Sequence, residues 1–482
     1  MFQRNKKSLW LLAAAFAGVL YGCTKKWEDH NALTDEALKG NLAEAIGQTP
    51  GLAKFSELLV KSGYDKIIRS SKTFTVWAPS DSALQSLDAA LLHDSAKLAQ
   101  FVGNHISFQS YTTTAPAGRI QMLNGKYHAF AGSSFDAAQV LTANKYAANG
   151  VFHVINKALP RVDNIWELIG KTSDAPALKA YLQSLDRPVF DSSIATQISV
   201  DPLTGSPVYD TASGMSIRNS FLDDVMNVAD ESKEYTLFLL TDRAYTSETE
   251  KLKPWFKTSA GVTDTSARHA QNWLVKDLVF RGKYSLSQLP DTLVSAAGVK
   301  VPVNKSAITQ TYQTSNGTVY VIDEMAVKLE HRFPPIYLQG ENPNGFMTSN
   351  KGGNTTYRLR VNPVTGQKFN DIYMKDYGLA NYWIRYNARN LPSMSYNVYW
   401  VAVNDVQTTP LYTQRLAVDS ATHPTPFSKQ IQYQNYGEEL LGKITLNNYR
   451  TVPLYVVGPN STSTTSGNTS ITLDYIKLVP AF

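Results

Sequence analysis

Two short segments occur twice in the same order along this 482-residue chain, and a repeat of that kind fixes the architecture before composition is considered. The first segment is Phe74-Thr75-Val76-Trp77-Ala78-Pro79-Ser80-Asp81-Ser82-Ala83-Leu84. It is a β-rich run broken at Pro79, followed by a Ser/Asp-capped helix start. Seventy-odd residues later stands Asn149-Gly150-Val151-Phe152-His153-Val154-Ile155-Asn156, a turn-forming Asn-Gly leading into an alternating strand. Tyr235–Tyr245 and Asn316–Asp323 repeat the pair at a similar distance, with a looser match in the first. Helical patterning precedes each pair. Leu38, Leu42 and Ile46, then Leu52, Phe55, Leu58 and Leu59 up to Gly63, open the first copy behind an N-cap at Thr34-Asp35-Glu36. Ile165–Ile169, Leu178, Leu182 and Leu185 open the second. Each copy therefore predicts an α/β unit, at 37–161 and 162–334.

The copies differ by an insertion. About 50 residues separate Leu185 from Tyr235, against about 14 between Leu59 and Phe74. The insertion holds a turn at Asp201-Pro202-Leu203-Thr204-Gly205-Ser206-Pro207 between Gln197–Val200 and Val208-Tyr209, which predicts a β-hairpin near 190–230. It is either a contact surface for a partner or a decoration.

Beyond Pro334-Pro335 the composition shifts. Residues 335–482 hold 14 of the chain's 26 tyrosines and only eight Asp and Glu. Short alternating runs at Thr355–Val361, Tyr382–Tyr386, Ser395–Val403, Ile444–Leu446, Leu454–Val457 and Ile471–Leu478 are separated by Pro, Gly, Asn and Ser. That pattern predicts an all-β sandwich of jelly-roll type. Tyr382–Tyr386 and Tyr396–Trp400 read as a strand pair. The fold class expected for the whole chain is α+β multidomain: two α/β wedges and a sandwich.

A flat aromatic ring stacks on the C–H face of a sugar while Asn, Asp and Arg address its hydroxyls. Tyr382, Trp383, Arg385, Tyr386, Tyr399 and Trp400 are therefore the candidate ligand-binding residues. Alternation puts Tyr382, Ile384 and Tyr386 on one face and Trp383 and Arg385 on the other, with Tyr396, Val398 and Trp400 opposite Tyr399. One face of each strand must be core, and aromatics fill cores as readily as they form platforms.

The N-terminus carries Arg4, Lys6 and Lys7, an apolar run from Leu9 to Leu20, and then Gly22-Cys23. The run, about 12 residues, suits a signal peptide and falls short of a membrane span. Cys23 is the chain's one cysteine, so no disulfide is expected. The segment resembles a bacterial lipoprotein signal, with residues 1–22 removed and a lipidated tether over 23–36. Three acyl chains on Cys23 would exceed what stable anchoring requires. Lys26-Trp27-Glu28-Asp29 is similar to the surface-export signal of Bacteroidota lipoproteins, with Lys26, Glu28 and Asp29 as its carriers. That resemblance implies an outer-membrane protein facing the cell exterior.

The two repeated segments, with the helices before them, resemble the signature boxes of the fasciclin-like domain, a helix-flanked β-wedge found in adhesion and matrix proteins. Family members often carry a Tyr-His pair between the boxes. Here Asn104-His105 stands in its place, and His105 reads as a hydrogen-bonded structural histidine. The closing run Ile471–Leu478 resembles the last strand of carbohydrate-binding jelly rolls. Five Asp-Ser/Thr sites, such as Asp81-Ser82-Ala83 and Asp419-Ser420-Ala421, resemble a Bacteroidota O-glycosylation signal.

Other chemistry is missing from the sequence. The net charge of +6 falls to about +3 without the leader and is dispersed, so no nucleic-acid partner is expected. There is no metal-spaced histidine pair, Gly-x-Ser-x-Gly motif or phosphate-cradling loop, so neither metal nor cofactor is expected. The adjacent acids Asp223-Asp224 and Glu438-Glu439 point apart on any regular backbone and do not form a dyad. Together the resemblances imply a non-catalytic surface lipoprotein. It would be an accessory subunit beside a TonB-dependent transporter of the starch-utilisation type and that transporter's substrate-binding lipoprotein, capturing a glycan or another oligomeric nutrient. Cell adhesion or matrix assembly is the alternative, and a glycan-active enzyme the third.

Overall fold

The computed structural model describes residues 38–406, 411–465, 467 and 469–482. Cys23, Lys26, Glu28 and Asp29, with the Thr34–Glu36 cap, lie outside the described residues. The chain divides into two compact units. One runs to Glu167 and takes in Ala229–Glu234 and Thr314–Asn316; the other holds the remainder.

In the first unit the helix Leu42–Gln48 starts at Asn41, whose side chain and Glu44 satisfy each other's backbone N–H groups in a capping box. The next helix, Ala53–Ser62, ends at Gly63 with φ +77°, a left-handed C-cap. These helices cover a seven-stranded sheet in which Phe74–Pro79 pairs in parallel with Gly150–Ile155. Leu42, Ile46, Phe55, Leu59 and Phe101 form one buried cluster, and Trp77, Phe130, Phe135 and Ile155 a second. Trp77 lies parallel to Phe135 at 4.4 Å.

The second copy repeats this parallel pairing in the same register. Phe74 faces Gly150 and Pro79 faces Ile155; Tyr235 faces Gly317 and Leu240 faces Ile322. Buried polar atoms keep their partners too. Asn149 Oδ1 accepts the N–H of Leu42 at 2.9 Å, and Asn316 Oδ1 that of Ile165 at 3.0 Å. Thr75 Oγ1 donates to Gln109 O and accepts from Tyr111 N, as Thr236 Oγ1 does with Gly282 O and Tyr284 N. Each repeated segment thus caps its own first helix and closes its own sheet edge, a reason for these residue types to recur.

The insertion forms two antiparallel ribbons, Asp186–Phe190 with Met215–Asn219 and Gln197–Val200 with Pro207–Tyr209. Asp223 receives Arg187 and Arg218 at 3.1 and 2.7 Å, and Glu438 receives Lys477 at 2.9 Å. Glu439 accepts from Trp400 Nε1 at 3.2 Å, so these acids are spent on neighbours.

The C-terminal part is a β-sandwich. A four-stranded sheet in the order Ile336–Gln339, Tyr475–Ala481, Ser395–Val401, Glu439–Thr445 packs on a five-stranded sheet. The latter runs Gly345–Phe346, Trp383–Leu391, Arg450–Val457, Thr413–Val418, Phe427–Gln430, and a three-stranded sheet adjoins. Two expectations are corrected here. Trp383–Leu391 and Ser395–Val401 are not a strand pair. Each sends alternate residues inward from a different sheet, and Pro392-Ser393-Met394 carries the chain across. The closing run is broken at Asp474, whose N–H bonds Val401 O and whose carbonyl takes Gly340 N, so its halves join different sheets.

The sandwich seats on the second wedge within the same unit. Ser393 N donates to Trp255 O at 2.7 Å and Tyr449 N to Lys257 O at 2.8 Å. Phe333 packs with Trp255, Trp273 and Phe482 at 5.7–6.3 Å between ring centres.

Candidate functional site

The six candidate residues do not form one site. Tyr382 and Trp400 are 0 % exposed and Tyr386 is 1 % exposed, so these three belong to the core rather than to an exposed platform. Their polar tips are satisfied inside: Tyr382 OH donates to Thr348 O at 3.0 Å and Tyr386 OH to Gly340 O at 2.8 Å. Neighbouring Tyr396 does the same with Pro392 O at 3.1 Å. Burial pushes the Tyr386 phenol far up, which keeps it a neutral donor. Tyr399 stands on the solvent face of the four-stranded sheet. Trp383 and Arg385 stand on that of the five-stranded sheet, on the other side of the sandwich.

The Trp383 side is built by register. Arg385 faces Tyr455 on one flank and Gly345 on the other, while Trp383 and Arg415 both face Val457. Residues one strand apart thus line up in rows. Trp383 and Tyr455 meet edge to face at 5.2 Å and 87°, an arrangement their ring quadrupoles favour. Arg385 Nη2 donates to Asn344 O at 3.0 Å, and its Nε–H has no partner among the described residues. Arg415 Nη2 donates to Asn381 Oδ1 at 2.5 Å and Gly458 O at 2.9 Å, and Asn381 Nδ2 donates to Asn460 Oδ1 at 3.0 Å. Two half-buried rings, two guanidinium groups and a chain of side-chain amides therefore share one solvent face. Such a face offers ring surface to apolar C–H groups and fixed donors to hydroxyls or carboxylates.

Sequence reasoning found Trp383 and Arg385 and missed Tyr455, Arg415 and Asn381. Tyr455 carried a signal: it alternates with Leu454 and Val456, both fully buried, so the strand period puts it outside. Arg415 and Asn381 carried none, because only the sheet order brings them to Trp383.

His105 is structural. Its Nδ1 meets Phe101 O at 2.9 Å and its Nε2 accepts from Leu159 N at 3.1 Å. Complete burial pushes its pKa down to about 3, against the Phe101 hydrogen bond, so the ring stays neutral. Among the described residues no group of three or more His, Cys, Asp or Glu is placed to hold a metal ion. No helix among them is long and apolar enough to cross a membrane.

Residues 50–161 match the family model of the fasciclin domain. No curated protein matches the chain. Among solved structures, the FAS1 domain pair of the insect cell adhesion molecule Fasciclin I is 13 % identical over 59 % of this chain and 99 % of that one, with a TM-score of 0.23. A family 35 carbohydrate-binding module from Clostridium thermocellum is 14 % identical over 31 % of this chain and 100 % of its own, TM-score 0.22. A β-1,3-glucan-binding CBM6 from Bacillus halodurans is 12 % identical over 29 % and 92 %, TM-score 0.20. At such identities and scores these likenesses carry no argument about function.

Proposed function

We propose that the chain is a non-catalytic, surface-held binding protein whose sandwich retains a glycan on the Trp383–Tyr455 face. The observation that carries this is the row itself: an edge-to-face aromatic pair flanked by Arg385, Arg415 and Asn381 on one solvent face. The rings would stack on a sugar's C–H face, and the guanidinium and amide groups would meet its hydroxyls. Lipidation at Cys23, export through Lys26–Asp29 and a position beside a TonB-dependent transporter complete the proposal. A weak glycan site near a transporter mouth gains through effective concentration rather than through tight binding.

Two experiments test it. Titration of the mature protein with neutral oligosaccharides should give a bound ligand that Trp383→Ala weakens at least tenfold. Pull-down of the native protein from detergent-solubilised outer membranes should bring a TonB-dependent transporter with it. A protein that binds no glycan and brings no transporter overturns the reading. Cell adhesion is the second reading, favoured by the fasciclin-domain match at 50–161. It predicts cell-to-surface attachment that survives Trp383→Ala.

A further inference from the structure

The other sheet of the sandwich carries a separate groove. On its solvent face Tyr337 lies across from Lys477, and Lys477 across from Tyr399, so the three form one row over neighbouring strands. Lys477 Nζ sits 5.6 Å from the Tyr337 ring centre and 5.8 Å from that of Tyr399. Tyr337, 48 % exposed, meets Tyr475 edge to face at 5.4 Å. Beside this row opens a groove of about 490 Å³. Tyr337 and Tyr475 line one part of it. Phe369 and Tyr436, themselves edge to face at 6.3 Å, line another. The amides of Gln339, Asn362 and Asn370 also face the opening.

Most charges around this groove are spent on one another; the exception among its carboxylates is Asp474, which burial, with Asp371 and Glu341 nearby, pushes up to about 7 and so toward the neutral form. Glu438 takes Lys477 through both oxygens at 2.9 Å and the Tyr475 hydroxyl at 2.8 Å. Burial raises the Glu438 carboxyl, but those bonds outweigh it and leave it below the usual range, a fixed anion beside its own cation. Arg360 is held by Asp371, Asp405 and the Tyr436 hydroxyl. Lys368 at the rim adds one positive charge, short of the several that a phosphate chain requires. An acidic or cationic ligand would have to break these pairs. A neutral, hydroxyl-rich chain would not, and it would use what remains: aromatic walls and amide donors and acceptors. The volume lies within the roughly 300–1,000 Å³ of small-ligand sites.

We propose that this groove is a second carbohydrate site, for a neutral oligosaccharide, so that one sandwich holds glycan segments on both of its outer faces. The groove shares no residue with the Trp383 face, and the proposal stands or falls independently of it. Two sites on one module would hold a polymer through effective concentration.

The test is calorimetric titration of the mature chain with cello-, laminari-, malto-, manno- and xylohexaose, with near-UV circular dichroism as the check on folding. At least one hexasaccharide should bind the Trp383→Ala variant. Adding Tyr337→Ala should lower that remaining affinity at least tenfold, and Tyr337→Phe should keep it within about threefold. Two sites in the native protein and one in either single alanine variant support the proposal. It is overturned if Trp383→Ala abolishes all hexasaccharide binding, or if Tyr337→Ala leaves affinity and stoichiometry unchanged. It is equally overturned if heparin, used as an anionic probe, is bound through Tyr337 in place of the neutral sugars. If Tyr337→Ala alone removes all binding and Trp383→Ala none, the groove stands and the Trp383 face does not.

Discussion

Arg332 is the most exacting test of how the C-terminal unit holds together. It is 1 % exposed at its side chain, one residue before the Phe333 contact with the sandwich. Its Nη2 donates to Glu248 at 2.7 Å and its Nε to Asp277 at 3.0 Å, and those acids are 3 % and 0 % exposed. Lys251 supports Glu248 at 2.6 Å, while Asp277 Oδ1 has no partner among the described residues. Arg332→Met keeps the length and apolar stem but strands Asp277. Removing one member of a buried ion group costs about 3–5 kcal/mol. The pH dependence follows from Asp277. Burial pushes its carboxyl up to about 6 from 3.8, although Arg332 pulls it down. A raised folded pKa means this group favours the fold most below pH 4, and that share is lost as pH rises through 6. The difference amounts to about 3 kcal/mol. Without Arg332 the folded pKa climbs further, so the variant goes on losing stability above pH 6 where the native protein is level. Urea unfolding followed by tryptophan fluorescence at pH 5.0 and 7.5 measures both. The deficit of Arg332→Met should be about 3–5 kcal/mol at pH 7.5 and clearly smaller at pH 5.0. A deficit below about 1 kcal/mol at pH 7.5, or one equal at both values, refutes the argument.

Other predictions concern the first unit. Gly150 has φ +152°, and a Cβ there would stand 2.0 Å from Phe74 O. Gly150→Ala should therefore destabilise the first unit by more than about 3 kcal/mol, seen as early loss of its amide-exchange protection; protection equal to the native protein's would contradict the clash. Lys126 is 5 % exposed at its side chain and is held by Glu167 at 2.9 Å and by Glu231. Lys126→Met removes the cation the two acids share, leaving Glu167 to Arg161 and the Asn164 N–H and Glu231 to the Ser315 hydroxyl, and calorimetry should show a melting point lower by about 4–8 °C, whereas a shift within about 2 °C would deny the pairing any weight.

The repeat was legible because its residues do local, obligatory work. Asn149 and Asn316 each close a helix start, and Thr75 and Thr236 each close a sheet edge, so the residue types recur with the geometry. The aromatic site was less legible. Alternation separates Tyr382 and Tyr386 from Trp383 and Arg385, but it does not say which set faces water. Tyrosine suggests a wet surface, yet Thr348 and Gly340 carbonyls satisfy the Tyr382 and Tyr386 hydroxyls in the core. A connection of three residues suggests a hairpin, yet Pro392–Met394 passes between sheets. The groove was invisible, since Tyr337, Phe369, Tyr436 and Tyr475 meet only through sheet order.

Glycan retention by the sandwich is the central claim, and one comparison tests it most directly: titration of the same hexasaccharides into the native protein, Trp383→Ala and Tyr386→Phe. The half-buried Trp383 is assigned to the ligand, the buried Tyr386 to the core. The account predicts that Trp383→Ala weakens binding at its face at least tenfold while unfolding as the native protein does. It predicts that Tyr386→Phe, which loses the Gly340 hydrogen bond, binds normally and unfolds about 1 kcal/mol more easily. Binding unchanged in Trp383→Ala, or lost in Tyr386→Phe without loss of fold, would contradict it.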